Sequence, residues 1–334
     1  MKKMVKIPAF LFSIAISLVI GLLIFFNWPV FEINNNIELG VTFSYRYARD
    51  IGLDWKENFI AILDDLQIKK IRIPVYWDLT EPEKGKYDFS NLDWQIAEAG
   101  KRNAEIILVV GQKVPRWPEC FIPDWTQGNE AQKKMELLKF ILKTVERYKN
   151  DSAVKYWQVE NEPFLKFGIC PPLDVDFLDA EIALVRNADP DRKIIITDSG
   201  ELSLWYQAAL RADIFGTTMY RTIWKEGWGY FNYPIGPRFF RFKHWINKLF
   251  AENDQAIVIE LQAEPWIAGW TTSAVLSEQF KSMNEERLRD NVEFAKKVGF
   301  PEVYLWGAEW WYWLKAEKDQ PQLWEEAKKL FSKK

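Results

Sequence analysis

Acidic residues stand directly after two of the apolar segments in this chain of 334 residues. The first segment ends in WQVENEPF and contains Glu162, and the second ends in IVIELQAEPW and contains Glu260. Two carboxyl groups that face each other can supply a proton donor and a nucleophile or base, which is the pair that cleavage of a glycosidic bond requires. We therefore take Glu162 and Glu260 as the candidate catalytic pair.

Three other glutamates compete for these roles. Side chains alternate along a strand, so Glu160 lies on the same side of its strand as Glu162. The alternative role of Glu160 is an ion pair inside the mouth of the predicted barrel. Glu264 is followed by a proline, as Glu162 is, but Glu260 closes the compact five-residue segment AIVIE, which favours Glu260. Glu309 lies further along the chain and is interpreted as a substrate contact or an ion-pair partner.

The elements that would position these residues are short apolar segments that alternate with longer amphipathic ones. The eight candidate strands begin at Ile37, Lys69, Glu105, Val154, Lys193, Asp213, Ala256 and Glu302. Eight strand-then-helix units without a linker predict one closed (β/α)8 TIM barrel over residues 30–334, with its active site at the carboxyl ends of the strands. The alternative is an open doubly wound sheet, but the sequence has no GxGxxG or P-loop motif to support it.

The strand ends carry a set of motifs that resembles clan A of the glycoside hydrolases, the retaining β-glycosidases, from the first strand to the eighth. The set consists of Asn-Glu-Pro after strand four, a Glu ending strand seven, Arg72 in RIPVYW, Tyr220 and Trp306. The cellulase-like family 5 is the nearest comparison, and the segment EPEKGKYDFSNLDW is similar to the β-galactosidase-like and xylosidase-like families of the clan. Family 5 usually carries histidines on strands three and six, where this chain has Gln112 and Thr218.

The resemblance implies a role for each matching residue. Glu162 would be the acid/base and Glu260 the nucleophile, and Asn161 would bind the sugar 2-hydroxyl. Arg72 would hold the nucleophile ionised, because an adjacent cation favours the charged form of a carboxylate. Tyr220 would donate a hydrogen bond to the nucleophile. Trp306 would form the floor of the sugar subsite.

Aromatic residues are abundant on the predicted active-site side, and flat rings stack on the apolar faces of sugars. Eleven tryptophans lie at or after strand ends, namely Trp77, Trp117, Trp125, Trp224, Trp228, Trp266, Trp270, Trp306, Trp310, Trp311 and Trp313. Trp77, Trp266 and Gln112 are the further candidates for substrate binding. The alternative role of each tryptophan is to pack a loop or the core. Arg221 and Lys225 follow strand six, and their positive charges would allow an anionic sugar to bind.

The composition excludes several kinds of site. The chain has 18 Trp but one His, so it cannot build an HExxH zinc site or a multi-histidine metal centre. The single histidine, His244, belongs to an amphipathic segment that predicts a surface helix. A net charge of −3 gives no basic field for nucleic acid. We expect an oligo- or polysaccharide substrate, no metal or organic cofactor, and a monomer.

The N-terminus predicts a membrane segment. An apolar stretch from Ile7 to Phe26 follows three lysines, and about 20 helical residues span the hydrocarbon core of a bilayer. We expect residues 1–29 to form an uncleaved, single-pass signal anchor, with the barrel outside the cytoplasm. The alternative is a signal peptide that is cleaved before secretion. Cys120 and Cys170, on neighbouring loops, are either one disulfide or two free thiols.

The sequence thus predicts a retaining glycosidase that acts on a β-linked glycan by double displacement. Two alternatives stay open. The same pair of glutamates could transfer glycosyl groups in remodelling an envelope glycan. The second alternative is a barrel that only binds glycans at the cell surface, although such a protein needs no catalytic pair with Arg72 and Tyr220 beside it.

Overall fold

A computed structural model describes residues 6–332, with side chains from residue 11 onward. Eight parallel strands close into a barrel in which each strand pairs with its neighbours in sequence, and β1 pairs with β8 to complete the ring. The strands are β1 (Glu38–Thr42), β2 (Lys70–Pro74), β3 (Glu105–Val110), β4 (Val154–Val159), β5 (Ile194–Asp198), β6 (Ile214–Met219), β7 (Ala256–Gln262) and β8 (Glu302–Trp306). The predicted (β/α)8 barrel is confirmed, with all eight strands in the predicted segments.

Thirteen α-helices lie in the described part of the chain. They are α1 (Lys6–Asn27), α2 (Tyr45–Asp50), α3 (Trp55–Asp64), α4 (Trp77–Thr80), α5 (Ser90–Lys101), α6 (Glu130–Tyr148), α7 (Val175–Ala188), α8 (Tyr206–Ala209), α9 (Pro237–Phe250), α10 (Leu276–Gln279), α11 (Glu285–Val298), α12 (Ala308–Glu317) and α13 (Gln322–Ser332). The long helices begin at polar caps: the Asn129 side chain accepts a hydrogen bond from the first turn of α6, and Asp174 does the same for α7.

Two apolar layers hold the barrel together. The larger layer lies between the strands and the surrounding helices, where residues such as Phe59, Leu108 and Val258 are fully buried. A smaller cluster, which includes Ile107, Ile195 and Tyr304, is separate from that layer. Burial on both faces explains why most strands read as continuous apolar segments rather than alternating ones.

The loops at the carboxyl ends of the strands carry two additional features. A hairpin of Thr222–Lys225 with Gly229–Asn232 follows β6. Cys120, after β3, forms a disulfide with Cys170, after β4, so the sulfurs are bridged rather than free. Such bridges persist in oxidising compartments. The location of the barrel outside the cytoplasm stays a prediction.

The N-terminal helix packs against the barrel at its end. Asn27 Nδ2 donates a hydrogen bond to the Pro234 carbonyl (3.0 Å), and the Phe26 ring packs edge-on against Phe239 of α9. Among the described residues, no helix has the length and apolar character needed to cross a membrane. The structure therefore does not support the predicted membrane-spanning helix, and Lys2 and Lys3, which precede it, lie outside the described residues.

Candidate active site

A cavity of about 680 Å³ opens at the carboxyl ends of the strands. Glu162 from the loop after β4 and Glu260 from β7 both line it, together with Tyr220 after β6 and Trp306 at the end of β8. The predicted catalytic pair therefore shares one cavity, at the end of the barrel where this fold places its active sites.

Both carboxyl oxygens of Glu260 are held by hydrogen-bond donors. Arg72 Nη1 on β2 lies 2.6 Å from Oε1, and the Tyr220 hydroxyl lies 3.1 Å from Oε2. The Glu260 side chain is 5% exposed and the Arg72 side chain is fully buried, so solvent screens this ion pair weakly. Glu260 does not close its strand as the sequence predicted, because β7 continues for two residues to Gln262.

Arg72 connects the two strands that carry the glutamates. Its Nε donates to Gln158 Oε1 on β4 (2.8 Å), and its Nη2 donates to Asn161 Oδ1 (2.6 Å). A guanidinium group has its donors in a rigid fork, so three acceptors fixed in this way also fix the direction in which Arg72 meets Glu260. Arg72 thus contacts Glu260, and the role that the family resemblance implies for Arg72 stays a prediction.

Glu162 lies in a different environment. Its backbone has a φ of 42°, and its amide donates to Thr197 Oγ1 (2.8 Å). The Thr218 hydroxyl donates to Oε1 (3.2 Å), at the strand-six position where family 5 usually has histidine. Burial raises the pKa of Glu162 well above its usual range, and the negative charge of Glu260 raises it further. These effects favour the protonated form of the carboxyl group, which a proton donor needs.

The alternative glutamate on β4 has a structural role. Glu160 accepts hydrogen bonds from the backbone amides of Gln112 (2.8 Å) and Lys113 (2.7 Å) and does not line the cavity. Burial raises its pKa to about 7, against the opposing effect of these two donors. Gly111 makes the arrangement possible, because a Cβ there would lie 2.4 Å from Glu160 Oε1.

The alternative glutamates after β7 and β8 belong to a second ion-pair cluster. Arg116 donates to Glu264 Oε1 (2.5 Å) and to Glu309 Oε2 (2.8 Å), and the Trp306 indole also donates to Glu264 (2.7 Å). The Arg116 guanidinium lies over the Tyr47 ring at 3.9 Å and over the Trp306 ring at 4.1 Å. Glu264 thus contacts Arg116 in place of Arg72 and Tyr220, which separates it from Glu260.

The structure gives Asn161 a position that the sequence did not predict. It is 1% exposed and is absent from the cavity wall, and its Nδ2 donates to Glu119 Oε2 (3.0 Å). Glu119 does line the cavity. The Asn161 side chain therefore does not line the cavity in which the expected sugar hydroxyl would bind.

The predicted aromatic contacts are only partly found. Trp266 and Trp306 line the cavity, with Trp266 edge-on to Tyr220 at 5.0 Å. Trp77 does not, because it starts α4, is fully buried, and packs against Phe140. Gln112 is also outside the cavity wall. The structure therefore places neither Trp77 nor Gln112 on the cavity wall, where the predicted substrate contacts would lie.

Most of the eleven tryptophans after strand ends pack the fold. Trp310 and Trp311 are fully buried, whereas Trp117 and Trp270 join Trp266 and Trp306 on the cavity wall. The basic residues after β6 do not line the cavity either. Arg221 packs over the Phe294 ring at 4.0 Å, and Lys225 lies over Trp228 on the hairpin, so neither provides the anion contact that the sequence left open.

Sequence reasoning missed several polar residues of the cavity. Arg116, Glu119 and Glu201 all line it, and burial raises the pKa of Glu201 to about 7. The only sequence signal for the first two is that they stand within four residues of Cys120, on the loop after β3. Among residues 6–332, no group of three or more His, Cys, Asp or Glu side chains is arranged to hold a metal ion.

A family model and curated proteins are similar to this chain. A family model described as cellulase (glycosyl hydrolase family 5) matches residues 35–219, more than half of the chain. The β-galactosidase BgaA of Clostridium cellulovorans is 27% identical over 175 residues, which cover 46% of this chain and 26% of that protein. The endo-1,4-β-xylanase A of Phanerodontia chrysosporium is 30% identical over 152 residues, 42% of this chain and 36% of that protein. The alignments thus span about a quarter to a third of these curated relatives.

Solved structures share the fold. A β-galactosidase from the psychrophilic Marinomonas ef1 superposes with a TM-score of 0.58 at 12% identity, over 88% of this chain and 59% of that one. A GH10 endoxylanase from a sugarcane soil metagenome superposes with a TM-score of 0.56 at 14% identity, over 82% of this chain and 86% of that one. At these identities the likeness extends to the barrel alone.

Proposed function

Because this chain belongs to glycosyl hydrolase family 5, the cellulase family, we propose that it hydrolyses a β-linked glycan by a retaining mechanism. Glu260 acts as the nucleophile and Glu162 as the acid/base. The missing histidines of strands three and six do not exclude the family, since Thr218 takes the strand-six position and donates a hydrogen bond to Glu162.

The observation that carries the proposal is the contrast between the two carboxyl groups. Glu260 is paired with a buried guanidinium and a phenol hydroxyl, one on each oxygen. Glu162 has a raised pKa because it is buried, and the negative charge of Glu260 raises the pKa further. A glycosidase needs a nucleophile and an acid in one cavity, and these two carboxyl groups have different partners there.

The chemistry follows in two steps. In the first, a Glu260 oxygen attacks the anomeric carbon, the bond to the leaving oxygen breaks, and that oxygen takes the proton of Glu162. In the second, Glu162 removes a proton from water, the water oxygen attacks the anomeric carbon, and the bond to Glu260 breaks. The protonated Glu162 and the ionised Glu260 are thereby restored.

The charges of the cavity favour a neutral sugar. Glu119, Glu201 and Glu264 line it in addition to the catalytic pair. Of its two arginines, Arg116 is already paired with two carboxylates, and the other, Arg46, is paired with Asp78. A uronic acid would find no unpaired cation among these residues, so we infer a substrate without carboxylate groups.

Labelling of the nucleophile tests the proposal. A 2-fluoro-β-glycoside with a good leaving group should form a stable ester on Glu260, located by mass spectrometry of peptides. Glu260→Ala should lower kcat by at least about 10³-fold. Glu162→Ala should lower it comparably on substrates with poor leaving groups, and azide, a nucleophile that needs no base, should restore turnover on activated ones.

Glu264→Ala is the matched control, because Glu264 follows Glu260 by four residues and also lines the cavity. The Glu264→Ala variant should still be labelled on Glu260. Label on Glu264, or full activity of Glu260→Ala, would refute the assignment. Product analysis of the wild-type reaction separates hydrolysis from transfer to a second sugar.

A further inference from the structure

The turn after β3 holds two buried charged residues in an unusual backbone conformation. Arg116 has a φ of 94° and Glu119 a φ of 76°, and each residue is 5% exposed. A non-glycine residue in this region is strained, and such strain is found mainly where a side chain must be aimed at a site. Both side chains line the cavity.

The loop after β4 holds this turn in place. The disulfide joins Cys120, the residue after Glu119, to Cys170. The Ile169 amide donates to the Pro118 carbonyl at 2.9 Å. Gly168 lies so close that a Cβ there would be 2.6 Å from the Glu119 Cβ. The backbone of Glu119 is therefore fixed by the loop that follows the acid/base.

The Glu119 side chain lies on the cavity wall, where Asn161 was expected to lie. Asn161 uses both ends of its amide inside the protein, since Oδ1 accepts from Arg72 and Nδ2 donates to Glu119 Oε2. Among the described residues, no hydrogen-bond partner lies at the other oxygen of Glu119, Oε1. Since Glu119 lines the cavity and Asn161 does not, Glu119 offers a polar atom to a bound sugar in place of Asn161.

The protonation state of Glu119 decides what kind of contact it offers. Burial raises the pKa of Glu119 to about 8, and the negative charge of Glu260 adds to the effect. With Oε2 accepting from Asn161, the proton resides on Oε1. The group is then a hydrogen-bond donor at neutral pH, as a carboxylic acid in an apolar site can be.

We propose that Glu119 is a third active-site carboxyl, which binds the substrate by donating a hydrogen bond from Oε1 to the 2-hydroxyl of the sugar that reacts with Glu260. This inference rests on the proposed function, because it assumes that a sugar occupies the cavity. In this proposal Glu119 is a substrate-binding residue, and Asn161 positions Glu119.

Pairs of substrates with and without the 2-hydroxyl test the contact in the full-length protein. With an activated 2-hydroxy β-glycoside, Glu119→Ala should lower kcat/KM by roughly 10- to 100-fold, because the sugar hydroxyl is left without its hydrogen-bond partner. With the matched 2-deoxy glycoside, the same variant should lose less than about 3-fold, because the partner is already absent. Glu119→Gln keeps a neutral donor and should stay within about 5-fold of wild type on the 2-hydroxy substrate.

Two further variants keep the result interpretable. Glu136→Ala removes a buried glutamate from α6, away from the cavity, and controls for loss of a buried carboxyl. If Glu119→Ala does not fold, Glu119→Asp withdraws the carboxyl by one methylene and should show the same selectivity for the 2-hydroxy substrate.

An equal loss on both substrates would overturn the inference, and so would a Glu119→Gln variant as impaired as the alanine variant. In either case a normal 2-fluoro label on Glu260 would show that the proposed function stands. Absence of that label together with absence of hydrolysis would instead refute the proposed function itself.

Discussion

The glutamates at the mouth of the barrel differ in what their carboxyl oxygens contact. Glu260 meets a guanidinium and a phenol, whereas Glu162 meets one threonine hydroxyl. Glu160 meets two backbone amides, and Glu264 meets the guanidinium of Arg116. Residue type is the same in all four cases, so the partners of each carboxyl group determine its role.

Removal of the Thr218 hydroxyl tests the environment of Glu162. A donated hydrogen bond favours the charged form of a carboxyl group, so Thr218→Val should raise the pKa of Glu162 further. The basic limb of kcat/KM against pH should move to higher pH, and kcat should fall by about 3- to 10-fold, because Glu162 becomes a less well positioned proton donor.

Thr144→Val is the control, since Thr144 is a buried threonine on α6 whose hydroxyl donates to the Phe140 carbonyl. It should leave the pH profile unchanged. A Thr218→Val profile that coincides with that of wild type would contradict the role of Thr218.

At the scale of elements, the loops after β3 and β4 form one unit. The Glu160 carboxylate bonds the backbone after β3, and Lys113 Nζ donates to the Glu162 and Leu165 carbonyls at 2.9 Å each. The disulfide joins the same two loops further out. The position of the acid/base therefore depends on the loop of the preceding strand as well as on its own.

A methyl group at Gly111 should separate these two loops. Gly111 has a φ of 133°, and its Cβ would lie 2.4 Å from Glu160 Oε1, so the carboxylate must move. We expect Gly111→Ala to lower kcat by roughly 10- to 100-fold, because small displacements of a catalytic group are costly. Stability should fall as well, measured by urea unfolding.

Gly52→Ala provides the comparison. Gly52 has a φ of 87° but no heavy atom within 4 Å of its Cβ position, so this substitution should cost about 1–2 kcal/mol of strain without changing kcat. Equal kcat values for the two variants would show that the contact with Glu160 does not position Glu162.

At the scale of the whole molecule, the barrel buries several carboxyl groups at its active-site end. Burial raises the pKa of Glu119 to about 8 and that of Glu160 and of Glu201 to about 7, and the pKa of Glu309 is raised as well. An unfolded glutamate has a pKa near 4.3, by general reference values. The folded state therefore binds more protons than the unfolded chain between about pH 5 and pH 8.

This difference predicts a fold that is more stable in mild acid than in mild base. The stability from a group with a raised folded pKa is fully present below the unfolded pKa and is lost as the pH rises through the folded pKa. We expect the free energy of unfolding to fall by roughly 2 kcal/mol or more between pH 6 and pH 8.5. The midpoints of thermal unfolding at pH 6 and pH 8.5 test this expected loss of stability.

The combined substitution Glu119→Gln and Glu201→Gln should flatten this dependence, because glutamine does not titrate. A midpoint that is constant or rises from pH 6 to pH 8.5 would contradict the prediction, since it would mean that these carboxyl groups are ionised in the folded state.

The sequence by itself determined the barrel and the catalytic candidates. Continuous apolar segments at regular intervals predict parallel strands, because both faces of such strands are covered. Parallel strands in a closed barrel all end on the same side, so the acidic residues that follow β4 and lie on β7 must meet there. Arg72 and Tyr220 were implied by the resemblance to clan A, and both contact Glu260.

Only the tertiary structure decided which side chains face the cavity. Glu119 and Asn161 are 42 residues apart, and Arg116 and Glu264 are 148 apart, so neither pair leaves a periodic signal in the sequence. Gln112 is not on the cavity wall, and Trp77 lies in the core. Strand periodicity fixes where a chain arrives at the active site, but contacts between distant loops fix where each side chain points once it is there.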